Sequence, residues 1–250
     1  MSSSPGTTPA PTSEPGSVLG RILSLLDAVE ASGGVISVTE LATRTGMPKS
    51  TVSRLVAGLV EQRYLGRAEG GVALGLRLFE YGARASFPRR LRAAAAPIMA
   101  QLRETTGERV GLWVHHGTEM VSLAAVAGRL PMLPTRAGMR SPALTTASGK
   151  AYLAFCADPA VVERVSAPLV RDAARRFRGE LDSVRASAVA TDHGVAFPGI
   201  AAVASPVLSA DRIVLGALSL AGPSDGMDAQ RVAPLVRAAS VQLARRLAAA

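Results

Sequence analysis

The stretch GMPKSTVSRLVAGLVEQRYL, residues 46–65, constrains the fold more than any other part of the chain. Glycine ends helices readily, because the left-handed conformation costs it little. Proline is harmless at the first position of a helix, where an N–H has no partner to lose. Gly46 and Pro48 therefore mark a tight turn between two helices. Upstream, Ser37 and Glu40 have the spacing of a capping box, with Ser at N-cap and Glu at N3. A short helix with Leu41 and Ala42 inward follows. Downstream, Val52, Leu55, Val56 and Leu59 recur at helical spacing and form a buried stripe. Lys49, Ser50, Ser53, Arg54 and Ala57 fall on a different face, which is small, hydroxyl-bearing and basic.

The surroundings extend the pattern. Residues 1–16 are Ser, Thr, Pro and Gly with almost no apolar side chains, the composition of a disordered tail. From Ser17 a helix is expected, with Leu19, Ile22, Leu23 and Leu26 as its buried face, ended by the SGG at residues 32–34. After residue 62 come two short β-like runs, YLGRA and VALG, separated by Glu69, Gly70 and Gly71. Paired glycines suit a hairpin turn that requires positive φ. The order helix, helix, turn, helix, hairpin is that of a winged helix-turn-helix over residues 17–75. Residues 76–87 read as a further helix stopped by Pro88, giving a linker at 76–88.

Residues 89–250 alternate helices and strands. An amphipathic helix over 91–106 places Leu91, Ala95, Ile98 and Leu102 on one side. VGLWVHH, MVSLAAV, IAAVASPVL and IVLGALSLA are strand candidates, the last two joined by a polar turn at 209–212 and expected to pair. A closing helix over 232–247 turns Val232, Leu235, Val236, Ala239 and Leu243 inward. Strands joined by short turns and flanked by helices predict an α+β fold with a mostly antiparallel sheet.

Composition narrows the classes. With 48% hydrophobic residues the chain can bury a substantial core. Its net charge of +9 favours polyanionic partners. The excess is spread out, however, with 10 basic and 7 acidic residues in 1–90 and 18 and 12 in the rest. Charge alone therefore does not single out nucleic acid. Cys156 is the only cysteine, which excludes an intrachain disulfide or a cysteine metal cluster. It is expected on a helix of apolar residues, as a buried packing residue. A secretory leader and an apolar run long enough to cross a membrane are both missing from the sequence, so a cytoplasmic protein with no membrane partner is expected.

Together these residues resemble the IclR family of bacterial transcriptional regulators. SVTELATRTGMPKSTVSRLVAGLVEQRYLGR and ALGLRLFEYG carry the resemblance in the first half. LPMLPTRAG, TTASGKAYLAF, PGIAAVASPV and LGALSLAGP carry it in the second. The resemblance implies an N-terminal winged helix on operator DNA. It also implies a C-terminal GAF-like domain over 89–250 that binds a small effector and assembles homodimers or homotetramers.

On the DNA face, small residues at a helix start permit close approach to the major groove, and donors reach bases and phosphates. Pro48 opens that helix. Lys49 is read as a mobile phosphate contact, and Ser50, Thr51 and Ser53 reach phosphates or base edges. Arg54 is the candidate for a bidentate contact to guanine, with phosphate as the alternative. Arg67, before the hairpin tip, lies over the DNA backbone or enters the minor groove.

On the effector side, residues 145–150, TTASGK, open a helix with small side chains that leave N–H groups bare for a carboxylate. In the family this element lines the effector pocket, which assigns ligand-facing backbone to Ala147 and Ser148. Aligning on Pro198-Gly199 places Asp192 at a ligand-contacting position and Ala202 where cysteine is common. Val195, Ala196 and Phe197 replace the family's glutamates, which implies a roomier, more apolar pocket fitted to an aromatic or hydrophobic organic acid. Trp113, Leu123, Met132 and Leu218 are candidate walls. The alternative reading for each is plain core.

Other motifs do not assemble. Gly149-Lys150 lacks the remaining residues of a phosphate loop. His115 and His116 fall on opposite sides of a strand, and His193 has no partner at metal spacing. No metal site, no cofactor and no catalytic residues are expected. The leading expectation is a ligand-controlled repressor on a palindromic operator. The competing classes are a small-molecule-metabolising enzyme with an appended DNA-binding-like domain, and a DNA binder that answers to no ligand.

Overall fold

The computed structural model describes residues 17–129 and 136–249. The tail expected at 1–16 and the candidate wall Met132 lie outside the described residues. The chain divides into two units between Ser86 and Phe87.

In the first unit, α1 (Val18–Ala31), α2 (Val38–Thr45) and α3 (Lys49–Glu61) precede a hairpin of β1 (Leu65–Ala68) and β2 (Gly71–Leu74), and α4 (Leu76–Arg84) follows. Ser17 Oγ caps α1 by accepting from Gly20 N–H at 2.9 Å. Ser37 Oγ caps α2 by accepting from Glu40 N–H at 3.1 Å. Only that half of the capping box is observed, because the Glu40 carboxylate instead accepts from Arg44 Nε one turn on, at 2.9 Å. Gly46 takes a φ of 68° between α2 and α3.

The buried stripe of α1 is not the expected one. Leu25 and Val29 are fully buried, with Ile22 and Leu26 packed beside them, whereas Leu19 is 62% exposed and Leu23 42%. The run LGRILSLLDAV holds two overlapping stripes at helical spacing, 19–22–23–26 and 22–25–26–29. The second wins because Val29 extends it to the end of the helix, over a core of Ile36, Leu41, Val52, Val56, Leu59, Leu65 and Val72.

The hairpin glycines serve different ends. Gly70 has the positive φ of the turn, 83°. Gly71 has no side chain because a Cβ there would meet the Ile36 carbonyl. That close approach lets Ile36 and Val72 exchange two backbone hydrogen bonds of 2.9 Å, which adds a third short run to the wing.

The linker helix ends earlier than expected. It stops at Arg84, and α5 (Ser86–Thr106) begins two residues later. Pro88 therefore sits in the first turn of α5, where the ring is tolerated, and stops nothing.

In the second unit, β3 (Arg109–His116), β4 (Glu119–Val126), β5 (Arg140–Pro142), β6 (Ala190–His193), β7 (Ile200–Leu208) and β8 (Val214–Pro223) form one sheet in the order β5-β4-β3-β8-β7-β6. Every pairing is antiparallel. The helices are α5, α6 (Ala147–Leu153), α7 (Pro159–Ser166), α8 (Arg171–Ser187) and α9 (Ala229–Ala248).

Strand alternation sorts the sheet into a large-residue face and a small-residue face. On β8, Leu218 and Leu220 point one way and Ala217, Ser219 and Ala221 the other. The large face carries Val110, Leu112, Val203, Leu218 and Leu220 and packs under α5 and α9, through Leu91, Ile98, Val232, Val236 and Leu243. The small face, with Ala190, Ala204 and Ala217, lets α6 approach closely through Ala147 and Ala151. Phe177, Leu181 and Val184 of α8 seal its side. Cys156, expected inside a helix, stands two residues past the α6 C-cap and is half-buried.

Candidate functional site: the DNA face and the effector face

α3 presents its polar face outward. Val52, Val56 and Leu59 are buried, while Lys49, Ser50, Ser53, Arg54 and Ala57 are exposed and Thr51 is half-buried. Pro48 occupies the N-cap (φ −55°, ψ 137°), not the first helical position. No side chain caps this helix, and no acid stands in its first turn. The first-turn N–H groups therefore remain open toward an anion, with Lys49 beside them. Lys49, Arg54 and the exposed Arg67 on β1 make no hydrogen bond or ion pair among the described residues. Their charge is thus available to an outside partner. A rigid hydrophobic seat, a bare helix start and unpaired cations suit a phosphate-lined groove.

α4 is held against this unit by Arg77. Its guanidinium donates to Gln62 O at 3.1 Å and to the Tyr81 hydroxyl at 3.0 Å, and lies 5.2 Å from the Tyr64 ring centre. The hydrogen bond from the Tyr64 hydroxyl first, and then that from Arg77, hold the Tyr81 phenol below its ordinary pKa. No residue of α4 is fully buried, and its large apolar side chains Leu76 and Phe79 are 67% and 71% exposed. With Leu19 and Leu23 of α1, they leave the first unit with more apolar surface than a lone domain needs.

In the second unit the effector candidates divide between the two faces of the sheet. Trp113, Ala147 and Ala202 belong to the small face, in one packed cluster. Asp192 joins them there, as the cross-strand partner of Ala202. Leu218 and Leu123 do not. Leu218 is fully buried under α5 and α9 on the large face. Leu123 is the extra residue where the β3–β4 register shifts between Leu112 and Trp113, and it packs on the large face too. Periodicity alone could not reveal that shift; both Leu218 and Leu123 pack in the core of the large face, across the sheet from Trp113, Ala147 and Ala202.

The Trp113 indole is fixed. Its Nε1 donates to Ser219 Oγ at 2.9 Å, and the ring lies over Gly111, where a Cβ would collide with it. Around it the floor is small: Ala202, Ala204, Ala217 and Ala221. At the start of α6, Thr146 Oγ1 accepts from Gly149 N–H at 3.2 Å, which leaves the N–H groups of the buried Ala147 and Ser148 as the first two donors. Asp192 is 4% exposed and turns its oxygens to its own loop, accepting from Val195 N–H at 2.9 Å and Ala196 N–H at 3.3 Å. It therefore orders the turn that precedes Pro198-Gly199. Val195 (70% exposed) and Phe197 (45%) point to solvent and line no wall. The apolar character of this face comes from its alanines and Trp113 instead.

The sequence reading passed over Arg109 and Ser219. Arg109 is 5% exposed, with its guanidinium 5.7 Å from the Trp113 ring centre. The available signal was alternation, since positions 109, 111 and 113 share a face. Lys150 is also buried, and its ammonium pairs with Glu180 of α8 at 2.6 Å. It fastens α6 to α8 and is not an open cation. Among the described residues no group of His, Cys, Asp and Glu could hold a metal ion. Among the described residues no helix is long and apolar enough to cross a membrane.

A winged helix-turn-helix joined to a separate α+β unit is the architecture of a DNA-binding regulator with a second domain. Comparison with known proteins gives the same class. The IclR helix-turn-helix domain matches residues 18–69, and the bacterial transcriptional regulator IclR C-terminal domain matches residues 88–246. The chain belongs to the IclR family of transcriptional regulators. Among relatives, the acetate operon repressor of Salmonella typhimurium is 27% identical over 247 residues, covering 92% of this chain and 89% of that protein. The regulator KipR of Bacillus subtilis is 26% identical over 225 residues, covering 85% and 90%. An IclR homolog from Microbacterium hydrocarbonoxydans, solved in complex with 4-hydroxybenzoate, superposes with a TM-score of 0.84 at 26% identity, covering 94% of this chain and all of that one. These relatives are regulators and not enzymes.

Proposed function

We propose that this regulator is a cytoplasmic repressor that binds a palindromic operator as a homodimer or homotetramer, and that a small aromatic organic acid held by the second unit controls it. The α3 face carries the first part of this reading: it joins a bare helix start to the unpaired cations Lys49 and Arg54 on a buried hydrophobic seat. Pro48, Lys49, Ser50, Thr51, Ser53, Arg54 and Arg67 are the DNA-contacting residues in this reading. Repression is supported by relatives that are themselves repressors.

The effector reading is supported by the flat indole of Trp113 beside the alanine floor, a shape that accepts a planar ring. It is supported also by the 4-hydroxybenzoate bound to the Microbacterium protein. Trp113, Ala147, Ser148 and Ala202 contact the ligand, and Asp192 shapes the turn over it. Ligand binding shifts the population between two arrangements of the recognition helices in the assembly, which changes operator affinity.

The test selects operator fragments from random duplex DNA with the full chain, then follows their binding by fluorescence anisotropy. Benzoates, hydroxylated benzoates and short keto acids are added in turn. A palindromic consensus whose affinity changes with an aromatic acid supports the reading. Keto acids acting alone would replace the aromatic class with a small-acid one. An operator affinity unmoved by every acid would leave a ligand-independent DNA binder, and failure to enrich any sequence would remove the regulator reading.

A further inference from the structure

Most of the positive charge of the chain lies outside the unit that carries α3. Residues 1–86 hold 8 basic and 7 acidic side chains, whereas residues 87–250 hold 20 and 12. Duplex binding draws much of its affinity from cations set against phosphates. A nearly neutral first unit supplies few of them beyond Lys49, Arg54 and Arg67. The second unit gathers three in one place. Arg89 and Arg90 at the start of α5 and Arg246 in the last turn of α9 line a cleft of about 270 Å³, together with Ala93, Ala94 and Leu247.

The two helices that form this cleft pack on the large face of the sheet, through Leu91 and Ile98 of α5 and through Val236 and Leu243 of α9. Ala94 and Leu247 join the same core, so the cleft has a fixed apolar floor. The three arginines are exposed and make no hydrogen bond or ion pair among the described residues. Arg246 suits the negative end of the α9 dipole. Arg89 and Arg90 do not suit α5, because they stand at its positive end and its first turn holds no acid. The first acid along α5 is Glu104, and residues 229–250 contain none. Three cations therefore share one cleft with no acid paired to them. On α8, by contrast, Arg175 pairs with Asp172 and Arg185 with Asp182.

We propose that the cleft of Arg89, Arg90 and Arg246 is a second phosphate-binding surface, which takes the backbone of the same duplex that α3 holds. This inference rests on the DNA-binding reading above and adds to it a contact that carries no sequence information. Arginine suits the task because its planar fork meets two phosphate oxygens and keeps its charge. The short side chains of Ala93 and Ala94 leave room for the phosphate between the forks. Arg89 and Arg90 stand three and four residues past Ser86, the last residue of the first unit. Four residues of chain span at most roughly 14 Å, which keeps the cleft near the unit that reads the bases.

The test follows duplex binding by the full chain, by fluorescence anisotropy over a series of salt concentrations. Wild type is compared with a cleft variant, Arg89→Gln with Arg90→Gln and Arg246→Gln. A control makes the same charge change on α8, with Arg171→Gln, Arg176→Gln and Arg178→Gln. The cleft variant should bind operator and unrelated duplex about tenfold or more weakly, by the same factor for both, and its slope of log affinity against log salt should be shallower by about 1 for each arginine. Its melting temperature should not fall, since the three side chains are exposed and unpaired. The control should keep nearly the wild-type slope. If the cleft variant melts lower than the wild type, Arg90→Gln alone decides: a slope shallower by about 1 supports the proposal, and an unchanged slope overturns it. A folded cleft variant with the wild-type slope overturns the proposal and leaves the α3 reading intact. A control that loses as much as the cleft variant also overturns it, because net charge then explains the effect. A wild-type slope combined with weakened binding of inorganic tripolyphosphate assigns the cleft to a small polyanion and overturns it likewise. A wild type that binds no duplex overturns both readings.

Discussion

Arg54 and Lys49 stand on the same exposed face of α3, yet they are expected to act differently. Arg54 lies one turn in, where a side chain reaches base edges, and Lys49 lies at the helix start, where phosphates approach. Arg54→Ala should cost roughly 1–3 kcal/mol of operator binding and relax discrimination at one base position. Lys49→Ala should weaken all sequences alike and make the salt dependence shallower. Anisotropy titrations at several salt concentrations separate the two, and unchanged operator affinity in both variants would remove α3 from the interface. On the effector face the corresponding residue is Ala202, half-buried in the row between Asp192 and Ala221. Ala202→Leu should fill the floor and lower ligand affinity at least about tenfold, the scale of a steric block. Ala147 is a poorer choice, because it is fully buried against the sheet and enlarging it would overpack the core. Calorimetry with a parallel thermal melt distinguishes a blocked site from a damaged fold.

At the level of elements, the contact between β3 and α6 contains a titrating group. His115 of β3 stacks on Tyr152 of α6, with ring centres 4.8 Å apart and planes 11° from parallel. Burial first, then His116 and Arg164, hold the imidazole below its ordinary pKa, although a backbone hydrogen bond to Gly117 acts in the opposite sense. Burial also pushes the Tyr152 phenol up, so both rings favour their neutral forms. The folded state therefore takes up the His115 proton at lower pH than the unfolded chain does. Stability is unaffected above the ordinary histidine value of about 6.5 and should fall as pH drops below it. Melting temperatures measured from pH 7.5 down to 5.5 should decline. His115→Phe keeps the stack and removes the proton, so it should make that decline shallower; an identical slope in the variant would clear His115 of the effect.

For the whole molecule the decisive feature is apolar surface that its own fold does not cover. Leu19 and Leu23 of α1 and Leu76 and Phe79 of α4 all lie exposed in the first unit. A single helix-turn-helix contacts too little DNA for operator-level specificity, so two copies on half-sites about one helical turn apart, or a multiple of it, are expected. Replacing Leu19 and Phe79 together with Glu should shift the protein toward monomer in analytical ultracentrifugation and reduce operator affinity. It should leave the melting temperature of the first unit nearly unchanged, because neither side chain enters its core. A variant that remains oligomeric with wild-type affinity would place the interface elsewhere.

What the sequence determined by itself was local. Caps at Ser17, Ser37 and Gly46, the stripe of Val52, Val56 and Leu59, the wing turn at Gly70 and the four long strands follow from chemistry that acts over a few residues. The α+β class follows from their order. What only the tertiary structure decided depends on partners distant in the chain. It chose between two equally periodic stripes on α1, because Val29 meets a core built from α2, α3 and the wing. It made Gly71 necessary through the Ile36 backbone, 35 residues away in sequence. It also paired strands as short as β5 and β6, three and four residues long, which carry too little pattern to stand out. At the effector face, a one-residue shift in the β3–β4 register sent Leu123 to the core face. The same ladders placed Arg109 in line with Ala221, Ala202 and Asp192. A strand's alternation says which residues share a side, but only its neighbours in the sheet decide what that side encloses.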